Sequence, residues 1–132
     1  MSDRNFDDFF IIFICKNTYL KAETKNTLVT NQYAEKAIKI PIAHAEGKYF
    51  ADEKTMKSLI QNDQILFKYC DENGSITEQA NPNGSLLNVA GVCNADRNVF
   101  GMMPHPERAA DKELTNQDGL TLFKSILAEI LL

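Results

Sequence analysis

The sequence predicts a strand-rich α/β chain carrying two helices. Three observations support this. Segments with strand composition outnumber helical ones, paired Asn-Gly turns and a hairpin pattern fill the second half, and the chain closes on a segment of helical period. Residues 9–20 are dense in aromatic and β-branched side chains, as strands are. Residues 37–42 alternate, with Ile38, Ile40 and Ile42 on one face and Lys39 and Pro41 on the other. Pro41 has no N–H for a ladder, so this strand lies at an edge or ends there. Asp52 is an N-cap for a short helix with Met56, Leu59 and Ile60 on one side. Residues 64–70 form the next strand, and Asn73-Gly74 and Asn83-Gly84 mark turns. Residues 86–93 and 99–103 bracket a turn at 95–98. From residue 115 an amphipathic helix places Leu120, Phe123, Leu127 and Ile130 on one stripe, widened by Ile126 and Leu131. No strand–helix unit repeats, so this is either an α+β domain or part of a larger α/β fold.

Composition narrows the class. The chain has 132 residues, 44% hydrophobic and 24% charged, which is globular and fits one domain. Its net charge of -4 gives no general attraction to nucleic acid phosphates. Cys15, Cys70 and Cys93 are an odd count without CxxC spacing, which argues against a disulfide framework or a cysteine zinc site and fits a reducing compartment. The longest apolar run, residues 9–14, is far short of the ~18 residues that span a membrane. Its acidic flank is unlike a signal peptide, so the expected location is the cytoplasm.

The most concentrated chemical signal is Gly101-Met102-Met103-Pro104-His105-Pro106-Glu107-Arg108. The two prolines fix φ on either side of the histidine and deny the segment a helix. In an extended chain His105 and Glu107 project to one side, which suits a general base and the carboxylate that orients it. A rigid loop with a solvated His and Glu is the competing reading, because His-x-Glu alone is a weak motif. The zinc deaminases that also carry His-x-Glu need a following Pro-Cys-x-x-Cys, which is absent here. Cys93, in Ala90-Gly91-Val92-Cys93-Asn94, is a tempting nucleophile, but it lacks the second glycine of a strained elbow and leads toward another strand. A buried structural thiol is the expected role, as it is for Cys15 and Cys70. His44, Glu46 and Gly47 form a polar cluster just past a strand end, a place for a binding site or for an ordinary turn.

Several segments occur together in one order: Phe13-Ile14-Cys15-Lys16-Asn17, Ile40-Pro41-Ile42-Ala43-His44-Ala45-Glu46-Gly47, Asn81-Pro82-Asn83-Gly84-Ser85, Asn98-Val99-Phe100-Gly101 running on through Ala109, and the closing Asp118-Gly119-Leu120 helix. The ordered set resembles the glutaminase subunits of phosphoribosylformylglycinamidine synthase, class I glutamine amidotransferases of purine biosynthesis. The resemblance begins at about residue 13. It implies residues 1–12 as a non-matching leader and 13–132 as the C-terminal half of an amidotransferase domain. It also implies His105 as general base, Glu107 as its orienting carboxylate, and His44, Glu46 and Gly47 at the substrate or an interface. The family's nucleophile elbow, of the type Gly-Val-Cys-Asn-Gly, precedes the segment matching Phe13 and has no counterpart here. Residues 90–94 match instead the strand leading to the histidine loop, so Cys93 is not the nucleophile. Ala45 stands where the family usually has glycine.

By resemblance, the complete enzyme hydrolyses glutamine and passes ammonia to a synthetase subunit, with a small bridging subunit as a further partner. ATP and magnesium serve the synthetase, and this chain needs no cofactor. The isolated chain is expected to be inactive. The alternatives are a non-catalytic truncated remnant or docking module, and a self-contained Cys93–His105–Glu107 hydrolase.

Overall fold

The computed structural model describes residues 14–33, 35–44, 48–111 and 116–130. They form a five-stranded antiparallel sheet with two α-helices: β1 (Ile14–Ala22), β2 (Ile38–His44), α1 (Glu53–Gln61), β3 (Ile65–Cys70), β4 (Val89–Cys93), β5 (Phe100–Met102) and α2 (Leu120–Ile130). The strand order is β2-β1-β3-β4-β5. The expected strands 37–42 and 64–70 appear within two residues of their predicted limits. The apolar run at 9–13 lies outside the described residues.

β2 is an edge strand, as Pro41 requires. Its Ile38, Ile40 and Ile42 lie against Leu20, Thr18 and Lys16 of β1. The isoleucines are buried with Leu20, Leu66, Phe67, Tyr69, Ala90 and Cys93, and the connection after β1 adds Val29 and Tyr33 to this core. Tyr33 meets Phe67 edge to face, with ring centroids 5.4 Å apart. A smaller core holds α1, where Met56 and Leu59 pack on Ile65 and Val89. Asp52 starts α1 by accepting the Thr55 N–H at 2.7 Å. At the other end Arg97 donates to the carbonyls of Asn62 and Asp63, which the helix leaves unpaired.

Three expectations change. Residues 86–88 are a 3-10 turn instead of strand, with Leu87 and Asn88 both at positive φ. The Asn88 amide fixes this turn by donating to the carbonyls of Tyr69 and Thr77. The terminal helix begins at Leu120, because 116–119 is a polar turn. Its buried face also differs from the predicted stripe. Leu122 and Ser125 are buried and Ile126 packs on the core, whereas Phe123, Leu127 and Ile130 are exposed. Hydrogen bonds decide this rotation. The Ser125 hydroxyl accepts the Gln32 N–H, and the Ser125 carbonyl accepts the Asn31 amide, so a serine turns inward where apolar periodicity favoured its neighbours. Leu131 lies outside the described residues.

The chain leaving the last strand reaches the other edge of the sheet. The Met103 N–H donates to the carbonyl of Ala90 on β4, and two residues later the His105 N–H donates to the carbonyl of Pro41 on β2. Within that step the chain passes from one side of the curled sheet to its opposite edge.

Candidate active site

The histidine loop is built from backbone constraints. Pro104 is fully buried and anchors the crossing. Pro106–Ala109 forms a single 3-10 turn with Pro106 in its first turn. The expectation that the prolines exclude any helix is therefore corrected. Proline is tolerated in a first turn, where its missing N–H would have had no partner. His105 precedes this turn with φ -106 and ψ 89, and its carbonyl accepts the Arg108 N–H at 3.1 Å.

The turn brings His105 and Glu107 together by a route other than the extended-chain one. His105 Nδ1 lies 2.8 Å from Glu107 Oε1. Partial burial raises the Glu107 pKa. The hydrogen bond from His105, a backbone N–H and the charges of His105 and Arg108 outweigh that and hold the carboxyl below its ordinary range. An ionised carboxylate only accepts, so Nδ1 carries the proton that faces it, and in the neutral imidazole the lone pair is then on Nε2. The imidazole side chain is one-third exposed, so part of the ring is in reach of solvent. The arrangement suits a general base with a fixed tautomer.

Behind the pair stands a second polar cluster. Alternate residues of β2 turn their backbone groups away from β1, and at Lys39 and Pro41 these meet the segment after the histidine. Asp118 accepts the Lys39 N–H at 2.7 Å, and Asn116 donates to the Lys39 carbonyl at 2.6 Å. The Gly119 N–H donates to the carbonyl of buried Ala109 at 2.9 Å. Sequence reasoning absorbed these residues into the terminal helix. The signal for them was the Asn-x-Asp-Gly pattern, which is turn chemistry.

Other candidates stand apart. Cys93 is buried at the end of β4 and pairs with Phe100, at the far end of the hairpin from the histidine loop. Burial pushes its thiol up, by more than the nearby Arg97 charge pulls it down. Cys70, buried on β3, is pushed up to about 11, mainly by burial and then by Asp71. His44 ends β2, three residues past the point where His105 docks, while Glu46 and Gly47 lie outside the described residues. The Asn81-Pro82-Asn83-Gly84-Ser85 segment is a built loop. The Asn81 side-chain oxygen accepts the N–H groups of Asn83, Gly84 and Ser85, with Gly84 at φ 76.

The antiparallel sheet thus carries a proline-flanked histidine paired with a glutamate. The CobB/CobQ-like glutamine amidotransferase domain matches residues 10–122, and the chain belongs to that family. The phosphoribosylformylglycinamidine synthase subunit PurQ of Methanocaldococcus jannaschii is 51% identical over 116 residues, covering 87% of this chain and 50% of that protein. The same subunit of Chlorobium luteolum is 45% identical over 119 residues, covering 89% and 52%. Among solved structures, a chain of PurLQS from Thermotoga maritima superposes with a TM-score of 0.66 at 36% identity, covering 89% of this chain and 48% of that one. The chain thus spans about half the length of the curated relatives it matches. None of its three cysteines has the Gly-x-Cys-x-Gly setting of an elbow.

Proposed function

We propose that this chain is the histidine-bearing, C-terminal half of the glutaminase component of phosphoribosylformylglycinamidine synthase. In that role it supplies ammonia from glutamine to purine biosynthesis in the cytoplasm. The single observation that carries the reading is the His105–Glu107 contact, in which the carboxylate faces Nδ1 of a partly exposed imidazole. The family match and the half-length coverage support it.

The chemistry needs a cysteine thiolate from outside these 132 residues. His105 Nε2 takes the thiol proton as the sulfur attacks the glutamine carboxamide carbon, and delivers that proton to the departing ammonia. His105 then takes a proton from the water that hydrolyses the thioester to glutamate and returns it to the departing sulfur. Glu107 holds the imidazole in the required tautomer and stabilises its charged form. No cofactor enters these steps. ATP and magnesium act on the synthetase partner, which receives the ammonia, and a small bridging subunit completes the assembly. His44, Glu46 and Gly47 border the substrate or the partner.

The test is a glutaminase assay of the purified chain alone and of the chain co-expressed with a nucleophile-bearing half from a relative. The chain alone should release no glutamate. The reassembled pair should do so, with activity abolished by His105→Ala and reduced by Glu107→Gln. Hydrolysis by the chain alone, lost in His105→Ala, would favour the self-contained hydrolase. Reassembly with activity indifferent to His105→Ala would leave a docking module.

A further inference from the structure

We propose that Asp118 and Gly119 are positioning residues for His105, clamping the histidine loop to the outer edge of β2 from the far side of Pro106. This rests on the assignment of His105 as the base.

The outer edge of β2 offers three adjacent backbone groups, the N–H and carbonyl of Lys39 and the carbonyl of Pro41. The segment from 105 to 119 takes all three. His105 donates its N–H to Pro41 at 2.8 Å, Asp118 accepts from Lys39 and Asn116 donates to it. Lys39 and Pro41 are ~6.7 Å apart along the strand, so Asp118 and His105, which bind their backbone groups, are neighbours on one edge. Asp118 is itself held, since its N–H donates to the Asn116 side chain at 2.9 Å and its carbonyl accepts the Tyr33 hydroxyl at 3.2 Å. The carboxylate at Lys39 is therefore a fixed anchor.

Gly119 transmits that anchor to the catalytic pair. A Cβ at this position would lie 2.1 Å from the Pro106 carbonyl oxygen and 2.8 Å from its Cα and carbonyl carbon. The atoms it would meet are backbone, which cannot rotate aside. Glycine is required here by close approach, since its bare backbone lies directly on the residue linking His105 to Glu107. An alanine must push Pro106 and α2 apart by about 1 Å to restore ordinary contact. That displacement falls on the residue between His105 and Glu107, whose side chains meet at 2.8 Å, and displacements of ~1 Å cost a catalytic site on the order of 100-fold in rate.

The experiment is long-range 1H–15N NMR of the whole chain with 15N-labelled imidazoles. There are two histidines, and loss of one signal in His44→Gln identifies the other as His105. The wild-type chain should show His105 protonated at Nδ1. Asp118→Ala and Gly119→Ala should each make that form a minor one, while Asp118→Asn, which keeps an accepting oxygen, should restore it. Leu127→Ala, on the exposed face of α2, should leave it unchanged. Wild-type His105 signals in folded Asp118→Ala and Gly119→Ala would overturn the proposal. If Gly119→Ala does not fold, Asp118→Ala decides alone. Its side chain is only partly buried, and global unfolding on its removal would indicate a purely structural role and overturn the proposal as well. A wild-type chain with no Nδ1–H form would instead remove the base assignment, and the clamp with it.

Discussion

Alkylation of the native chain separates a structural Cys93 from a nucleophilic one. A nucleophile needs an exposed thiol with a depressed pKa. Cys93 is 5% exposed, its N–H donates to the Gln64 carbonyl, and its own carbonyl accepts the Gln64 amide. It lies about 10 Å along β4 from Ala90, the level at which the chain leaves for the histidine loop. Cys70 provides an internal scale. A rise from 9.0 to about 11 lowers its thiolate fraction at neutral pH about 100-fold, before its 2% exposure is considered. Iodoacetamide and a diazoketone analogue of glutamine should therefore label neither thiol at a useful rate at neutral pH. The urea-unfolded chain should label fully, with peptide mapping by mass spectrometry as the readout. Cys93→Ala should cost only packing, about 1–2 kcal/mol for one buried sulfur. Rapid stoichiometric labelling of Cys93 in the native state, lost in His105→Ala, would refute the reasoning and establish a self-contained hydrolase.

Three further outcomes are expected. Phe67→Ala, at a residue with no exposed surface in edge-to-face contact with Tyr33, should lose about 3–5 kcal/mol in urea unfolding. Burial raises the Tyr69 pKa from 10.0 to about 12 and that of Tyr33 further still, so the folded state favours the neutral phenols. That contribution is intact below pH 10 and lost as pH climbs toward 12, and thermal melts against pH should fall in this window together with a rise in phenolate absorbance. The exposed Phe123, Leu127 and Ile130 stripe should make the isolated chain associate as concentration rises, and Leu127→Glu should shift its elution toward monomer. A wild-type chain that is monomeric at all concentrations, with one sharp transition, would contradict this.

The elements legible in the sequence were those fixed by local chemistry. Alternating isoleucines marked β2, Pro41 marked its edge position, and Asp52 marked the start of α1. Each signal reports a preference that its own few residues enforce. The pairing of His105 with Glu107 was also readable, although through the wrong backbone. Two residues apart is close in a one-turn helix as well as in a strand, so the spacing could not tell them apart. What escaped were features decided at long range. The face of α2 follows from Ser125 bonding to residues 31 and 32, and apolar periodicity carries no information about a buried serine. Asp118 and Gly119 take their meaning from Lys39 and Pro106, which no local pattern connects to them.

The crossing of the chain from Ala90 to Pro41 within residues 103–105 bears on the order of folding. Most of the sheet forms between strands linked by short or moderate loops, with modest entropy of closure. The contact between His105 and Pro41 joins the loop after the last strand to a strand early in the sequence, and it depends on β1, β3 and β4 to place both partners. Substitutions at this contact should therefore speed unfolding and leave the folding rate almost untouched, as stopped-flow chevrons would show. The histidine loop is thus expected to dock last, on a sheet already formed.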